Sequence, residues 1–291
     1  MIFSKIDKKN SRIVFLRRLK RNRLAYFGAI SILFLIIISI LGPFLAPHDF
    51  AEQNLAKVRC PPSKEFLLGT DEFGRCILSR ILFGARISLM IGVISIGMAL
   101  VAGVFLGLIA GYYGNVVDNI IMRAIDVMLA FPYFILAIAV IIVLGPGFFN
   151  IMLTIGIYNV PTFIRIVRGV VLSQKQREYI EAAKAFGENN LNIIFHYLLP
   201  NCISTIIVYA TLRIGSAILV ASILGFLGLG IMPPTPEWGA MLSSGTTYLR
   251  SSPHIVIFPG MAIMITVLSF NLLGDGLRDA LDPRLKELII K

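Results

Sequence analysis

The sequence has little charge, few cysteines and a single tryptophan. Charged residues make up 15% of its 291 positions, whereas hydrophobic residues make up 57% and the mean hydropathy is +0.83. Soluble domains have about 25% charged residues, and disordered chains have low hydrophobicity, so the composition excludes both classes. It predicts an all-α membrane protein that crosses the bilayer several times.

Motifs for catalysis are also missing. The chain contains no Walker-type G-x-x-x-x-G-K-[ST], no HExxH, no CxxC and no GxSxG sequence, and these are the signatures of nucleotide, metal and hydrolase sites. The three histidines are far apart and lack the spacing of metal ligands: His48, His196 and His254. We therefore expect no enzymatic activity, no cofactor and no metal site in this chain.

Long charge-free runs predict six transmembrane helices. The run 24–46 can cross the membrane once, and no signal-peptidase site follows it. The run 127–164 is interrupted by Gly145-Pro146-Gly147, which predicts a tight turn between two spans. The other spans are predicted at 87–117, 203–229 and 255–274.

The distribution of basic residues predicts the orientation of these spans. Nine basic residues lie within the first 23 positions. Placing that segment in the cytoplasm also places nineteen of the 27 Lys and Arg residues there, as the positive-inside rule expects. Both termini, including the tail 276–291, are then predicted to be cytoplasmic, and the loops 47–86 and 230–254 external.

The N-terminal segment 1–23 alternates basic with apolar residues: Ile13, Val14, Leu16 and Leu19. An interfacial helix lying on anionic lipid headgroups explains both features. A nucleic-acid arm is the alternative for such a basic cluster, but the hydrophobic span that follows at once favours membrane lipid. We expect no nucleic-acid partner.

The external loop 47–86 contains two of the three cysteines. Cys60 and Cys76 lie sixteen positions apart, while Cys202 is at the start of the fifth span. An external pair can form a disulfide in an oxidising compartment, but spacing alone does not bring two thiols within bonding distance. A disulfide and two unpaired cysteines both remain open at this point.

A polar segment, 173–200, separates the fourth span from the fifth. Good helix formers occupy 176–186, and Gly187 can adopt backbone angles that other residues avoid. Asn190 can cap a second short helix, which Pro200 ends or bends. We expect an elbow of two short helices that protrudes on the cytoplasmic side. A surface hairpin without a partner is the alternative.

Within this elbow, Glu181-Ala182-Ala183, then Gly187, then Leu199-Pro200 resembles the EAA motif of binding-protein-dependent ABC importer permeases. Further stretches along nearly the whole chain resemble the dipeptide, oligopeptide and nickel permeases: 21–24, 45–47, 68–75, 110–114, 126–132, 226–230, 233–236 with 238–239, and 271–283. On these residues, the chain is similar to the C-type permease subunit of a peptide or nickel importer.

The resemblance implies a MetI-like type I ABC importer permease fold of six transmembrane helices, with a five-helix core at 87–275 and cytoplasmic coupling helices. It implies a heterodimer with a homologous second permease in the bacterial cytoplasmic membrane. It also implies two ATPase subunits that bind ATP and Mg²⁺, and an extracytoplasmic substrate-binding protein.

The resemblance further implies that each ATPase receives one elbow in a surface groove. Glu181, Ala182, Ala183 and Gly187 would then be the coupling residues. Glu181 would cap the elbow or pair with a basic group of the ATPase, while Gly187 would set the angle of the corner.

Three glycines at four-residue spacing, Gly103, Gly107 and Gly111, give the second span a face of small residues. This face predicts close helix packing within the subunit in preference to a seam with another permease.

Arg213 lies deep in the fifth span, where a charge usually faces a cavity or a partner. It would contact an acidic group of the ligand, such as a peptide carboxylate, or pair structurally with Asp126 or a helix-end carbonyl.

The remaining alternatives concern the substrate and the type of transporter. Nickel would favour His or carboxylate ligands along the pathway, and the spans contain few of either, so peptides are favoured over nickel or a metal chelate. A channel or secondary transporter would show paired intramembrane ions or inverted repeats, and neither is evident in the sequence.

Overall fold

A computed structural model describes residues 22–281, and this part of the chain is helical without β-strands. The helices are α1 (Arg23–Leu45), α2 (Ile77–Tyr113), α3 (Asn115–Leu129), α4 (Tyr133–Leu144), α5 (Phe148–Lys175), α6 (Glu178–Ala185), α7 (Asn190–Phe226), α8 (Trp238–Gly245) and α9 (His254–Leu281). The predicted interfacial helix and most of the C-terminal tail lie outside the described residues.

Within residues 22–281, five helices are long and apolar enough to cross a membrane: α1, α2, α5, α7 and α9. The helices α3 and α4 meet that criterion only together, and they are bent by 90° at the break between them. With 12 residues, α4 is about 18 Å long, which is shorter than the ~30 Å hydrocarbon core. The third predicted span is therefore not one continuous helix: the chain breaks between Leu129 and Tyr133, where Pro132 cannot continue α3.

The structure confirms one further prediction about the spans, the turn between α4 and α5, and corrects another, the start of the second span. The turn at Gly145-Pro146-Gly147 is confirmed, because α4 ends at Leu144 and α5 begins at Phe148. The second span begins at Ile77, ten residues before the charge-free run that starts at Ile87. The charge criterion missed this part of α2 because it carries Arg80 and Arg86.

The ends of the helices define two ends of the bundle. The elbow end holds α6, and there Asn22 Nδ2 before α1 donates to Asp279 Oδ2 near the end of α9 at 3.2 Å. The opposite, loop end holds the segments 46–76 and 227–253. At this end α1 packs closely on α2, since a Cβ atom at Gly42 would lie 2.9 Å from the carbonyl oxygen of Leu82.

The most extensive helix–helix contact is that of α2 with α5, and the three spaced glycines lie in it. A Cβ atom at Gly107 would lie 2.8 Å from Cβ of Val167, and one at Gly111 would lie 2.7 Å from Cβ of Val171. A Cβ atom at Gly103 would overlap Phe163. The prediction of packing within the subunit is confirmed.

The loop between α1 and α2 is organised by a buried ion-pair network. Asp71 Oδ2 accepts from Arg75 Nε at 2.6 Å and lies 3.4 Å from Arg80 Nε. Arg80 Nη1 also donates to the carbonyl oxygens of Phe50 at 3.1 Å and Pro234 at 3.3 Å. Asp71, Arg75 and Arg80 are each at most 5% exposed. The network therefore joins this loop to the loop that precedes α8.

That second loop leads into α8 through a buried carboxylate. Glu237 caps the helix, because its two carboxylate oxygens accept from the backbone N–H groups of Gly239 at 2.9 Å and Ala240 at 2.8 Å. Burial raises the pKa of Glu237 to about 7, although both hydrogen bonds oppose that shift. The next residue, Trp238, is 1% exposed and donates to the carbonyl of Ile81 in α2 at 3.2 Å.

All three cysteines are unpaired. Thr70 lies between the two cysteines of the loop between α1 and α2: its N–H donates to the carbonyl of Cys60 at 3.0 Å, and it forms an antiparallel bridge with Cys76. Of the two alternatives for this pair, the structure shows unpaired thiols.

The α2–α5 contact predicts a position-specific effect of added volume. Gly107→Val should destabilise the protein by about 3 kcal/mol, because overpacking forces two backbones apart. Gly97→Val is the matched control in the same helix, since a Cβ atom there meets nothing within 4 Å. Thermal unfolding in detergent measures both variants, and equal melting temperatures would contradict the proposed role of the contact.

The buried ion-pair network should contribute more to the stability of the loop than an exposed ion pair does. Asp71→Asn leaves two buried guanidinium groups without a full countercharge, so we expect a loss of about 3–5 kcal/mol and faster proteolysis within 47–76. The control is Glu65→Gln, which breaks the exposed Lys57–Glu65 pair at 2.6 Å and should change stability by less than about 1 kcal/mol. Equal protease resistance of the two variants would count against the network.

Candidate functional site

The elbow is built around a glycine in a left-handed conformation. Gly187 has φ +77°, its N–H donates to the carbonyl of Lys184 at 3.0 Å, and the N–H of Glu188 donates to that of Ala183 at 3.1 Å. These two bonds form a Schellman motif, which satisfies the last carbonyl groups of α6 and turns the chain. The predicted unusual backbone at Gly187 is confirmed.

The second arm of the elbow differs from the prediction. It is the first part of α7, which continues through a π-helical segment, Ile193–Leu198, and past Pro200. Pro200 neither ends nor breaks the helix, because it lies in the first turn of the α-helical part. The cap is Asn189, whose side chain accepts from the N–H of Leu191 at 3.3 Å.

The predicted cap, Asn190, instead links the elbow to the bundle. Its Oδ1 accepts from the hydroxyl of Tyr112 at 2.6 Å, and Lys175 Nζ donates to the carbonyl of Tyr112 at 2.6 Å. Tyr112 is near the end of α2 and Lys175 ends α5. The corner is therefore tied to both α2 and α5.

An apolar cluster holds the inner face of the elbow against the spans. Its buried members come from α2, α5, α6 and α7: Leu108, Tyr112, Val167, Val171, Ile180, Ala183, Ile193, Ile194, Leu198, Cys202 and Ile206. Since interiors of this kind are close-packed, a force on α6 is transmitted to the spans instead of being absorbed locally.

A tyrosine adds polar links between the elbow and the same helices. The hydroxyl of Tyr179 donates to Gln174 Oε1 at 2.8 Å and accepts from Asn201 Nδ2 at 3.3 Å. Desolvation raises the pKa of Tyr179 above its ordinary value, so the phenol stays protonated and can donate. The three residues belong to α6, α5 and α7.

The four predicted coupling residues do not share one surface. Glu181, Ala182 and Gly187 are exposed, but Ala183 is buried and packs towards the spans. The carboxylate of Glu181 forms no hydrogen bond or ion pair with another residue of the described range 22–281. Within that range it does not cap α6, and it points away from the apolar cluster.

Phe186 is an elbow residue that sequence reasoning missed. It immediately precedes Gly187 and is 89% exposed. A large aromatic next to a corner glycine, in an otherwise polar segment, is the signal that could have identified it. We call Glu181, Ala182, Ala185, Phe186 and Gly187 the elbow surface, because all five are exposed at the corner.

Arg213 lies near the middle of the α-helical part of α7 and is half-buried. Within residues 22–281 its guanidinium forms neither an ion pair nor a hydrogen bond. Pairing with Asp126 is wrong, because Asp126 Oδ1 accepts from Arg165 Nη2 at 2.5 Å. The charge of Arg213 interacts with the phenol of Tyr133 at the start of α4.

Polar side chains follow one face of α7 from the elbow end to Ser216. They recur every three or four residues, which places them on one side of the helix: Asn201, Thr205, Tyr209, Arg213 and Ser216. At the elbow end this polar face borders a groove of about 860 Å³ between α5 and α7, lined by Arg165, Gln174, Asn201 and Thr205 among others. The arrangement resembles one wall of a hydrophilic path.

Two ion pairs between α3 and α5 were also missed. Asp118 accepts from Arg168 Nε at 2.5 Å and Nη2 at 2.6 Å, and Asp126 pairs with Arg165. The partners are far apart in sequence, so no local spacing links them. The pairs hold the bent helix α3 against α5 at the elbow end.

Comparison with known families agrees with this architecture. Residues 103–287 match the family described as binding-protein-dependent transport system inner membrane component. Residues 13–62 match the N-terminal TM domain of oligopeptide transport permease C. Together these regions contain every long helix described above except part of α2.

Curated relatives cover nearly the whole chain. A dipeptide transport system permease protein of Alkalihalophilus pseudofirmus is 51% identical over 93% of this chain and 89% of its own length. A di/tripeptide transport permease of Pseudomonas aeruginosa is 45% identical, over 91% and 89%. A glutathione transport permease of Pectobacterium atrosepticum is 46% identical, over 94% and 91%. The chain therefore belongs to the binding-protein-dependent transport system inner membrane components, the permease subunits of ABC importers.

Proposed function

We propose that this chain forms half of the translocation pathway of an ATP-driven importer of di- or oligopeptides. Peptides are favoured over nickel because the relatives above are named for dipeptides, di/tripeptides and the peptide glutathione. A homologous second permease would supply the other half of the pathway. An extracytoplasmic binding protein would deliver the peptide at the loop end.

The elbow would be the docking point for an ATPase subunit. The single observation that carries this proposal is the elbow surface, which presents exposed Phe186 and Glu181 on a corner whose inner face is fixed to α2, α5 and α7. This chain has no nucleotide-binding motif, so ATP and Mg²⁺ would be bound by the ATPase subunit. A protruding aromatic beside a carboxylate suits a groove with an apolar floor and a basic rim.

This assignment makes the elbow end cytoplasmic and the loop end external. The basic residues support that orientation, since five of them lie in the segment 165–200 and such residues favour the cytoplasmic side. Both chain termini would then be cytoplasmic, because α1 begins and α9 ends at the elbow end.

The polar face of α7 would line the pathway, with Arg213 contacting an acidic group of the peptide. The support is that Arg213 has no protein countercharge within the described chain, although an intramembrane charge normally faces a cavity or a partner. A peptide carries a terminal carboxylate that a guanidinium can bind through two hydrogen bonds.

The elbow predicts that a bulky residue at the corner uncouples ATP hydrolysis from transport. Gly187→Trp should abolish peptide uptake in reconstituted vesicles, because its side chain projects into open space where the ATPase would dock. The same importer should retain peptide-independent ATP hydrolysis or lose its ATPase subunits during purification.

The control for this variant is Gly228→Trp. Gly228 has the same φ of +77° and the same open surroundings, but it is at the loop end. Both variants carry similar backbone strain, of about 1–2 kcal/mol, so only the site differs. Normal uptake by Gly187→Trp, or equal loss of the ATPases from both variants, would reject the docking role.

The pathway role predicts charge-specific effects at Arg213. Arg213→Met should lower peptide uptake by about tenfold or more at equal expression, the factor expected when a charge-assisted hydrogen bond is lost, while Arg213→Lys should retain part of it. The loss should be smaller for a peptide with an amidated C-terminus. Normal uptake by Arg213→Met, or equal loss for both peptides, would contradict carboxylate binding.

A further inference from the structure

A groove between α1 and α2 contains a charge that the importer function does not use. Its volume is about 650 Å³, and its walls are mostly apolar, with Ile36, Ile40, Met90 and Val93 among them. Only Ser39 and Arg86 interrupt that lining. The helix α1 is the least buried of the candidate spans, with 17% of its apolar window buried, so the groove opens on the outer surface of the bundle.

The two arginines of α2 have opposite surroundings. Arg80 is 5% exposed, has Asp71 as its countercharge and donates to two carbonyl groups. Arg86 is exposed, and it forms no ion pair or hydrogen bond with any residue between 22 and 281. An exposed guanidinium beside an apolar groove, without a countercharge in the described chain, favours an anion from outside that part of the chain.

The packing of α1 on α2 gives the depth of this arginine. Gly42 contacts Leu82, and Ser39 and Arg86 are each about one turn further from the loop end. Arg86 is therefore level with a residue that lies six positions, or about 9 Å, inside the end of α1 at Leu45. From that depth an arginine side chain extends to the level of the lipid headgroups.

We propose that this groove is a binding site for an anionic phospholipid of the leaflet at the loop end. The phosphate accepts hydrogen bonds from the Arg86 guanidinium, and one acyl chain lies between α1 and α2 against Ile36, Ile40 and Val93. The lone positive charge selects a lipid with a net negative headgroup, such as phosphatidylglycerol, over a zwitterionic one. The site depends only on the chain being embedded in a bilayer, and not on the proposed substrate.

A helix of the second permease is the alternative occupant of the groove. A protein partner would have to bring a carboxylate into the lipid-facing side of α1. Lipid is favoured because the surrounding bilayer supplies both the phosphate and the acyl chain without a further desolvated pair.

The test measures which lipids remain bound to the purified complete importer. The protein is reconstituted with equal amounts of phosphatidylglycerol and phosphatidylethanolamine, extracted in mild detergent and analysed by native mass spectrometry. We expect Arg86→Gln to bind phosphatidylglycerol about tenfold more weakly than wild type, as the loss of one charge-assisted interaction predicts. Arg86→Lys should retain an intermediate affinity.

Two further variants separate the groove from general surface charge. Ile40→Trp should fill the groove and reduce lipid retention while leaving Arg86 in place. Arg250→Gln removes an exposed arginine outside the groove and should leave retention unchanged. Melting temperatures show whether each variant is folded.

A photo-crosslinking residue at position 40 identifies the occupant directly. A mass increase equal to one phospholipid supports the proposal. Crosslinking to the second permease overturns it, and so does unchanged phosphatidylglycerol binding in Arg86→Gln. Equal retention of phosphatidylethanolamine by the wild type would overturn the selection for an anionic headgroup.

Discussion

The close contact between α2 and α5 is the constraint on which the rest of the structure depends. Glycine at 107 and 111 lets Val167 and Val171 approach the backbone of α2, and in lipid such van der Waals contact replaces the hydrophobic drive. The elbow end of this pair supports Tyr112 and Lys175, whose hydrogen bonds hold the corner. These bonds fix the corner of the elbow to the elbow end of α2 and α5.

That connection gives a physical basis for coupling between an ATPase and a distant pathway. The outer side of the elbow presents the strongly exposed Phe186, while Ile180 and Ala183 on the inner side are buried. Because α7 continues without a break from the corner to Arg213, displacement of the elbow would shift one wall of the proposed pathway. The π segment within α7 is the place where that helix can adjust.

Four arginines differ in whether the chain itself supplies a partner for the charge. Arg80 is neutralised by Asp71 within the loop network, and Arg165 pairs with Asp126 on α3. Arg213 and Arg86 have no such partner within residues 22–281; Arg213 lies on the polar face of α7, and Arg86 lines the groove between α1 and α2. Since an unpaired charge is costly in a membrane, we propose a ligand from outside this chain for each of the last two, a peptide at Arg213 and a lipid at Arg86.

Several features of the fold and of the elbow could be predicted from local sequence. Charge-free runs, the Gly145-Pro146-Gly147 turn, the glycine face of α2 and the corner at Gly187 follow from hydropathy and from backbone stereochemistry, which act over a few residues. The tertiary structure alone decided that α3 and α4 form a bent pair, that α7 passes Pro200, and that Ala183 faces inward. It also decided which arginines are paired, because Asp126 lies 39 positions from Arg165 and only the packing of α3 against α5 brings them together.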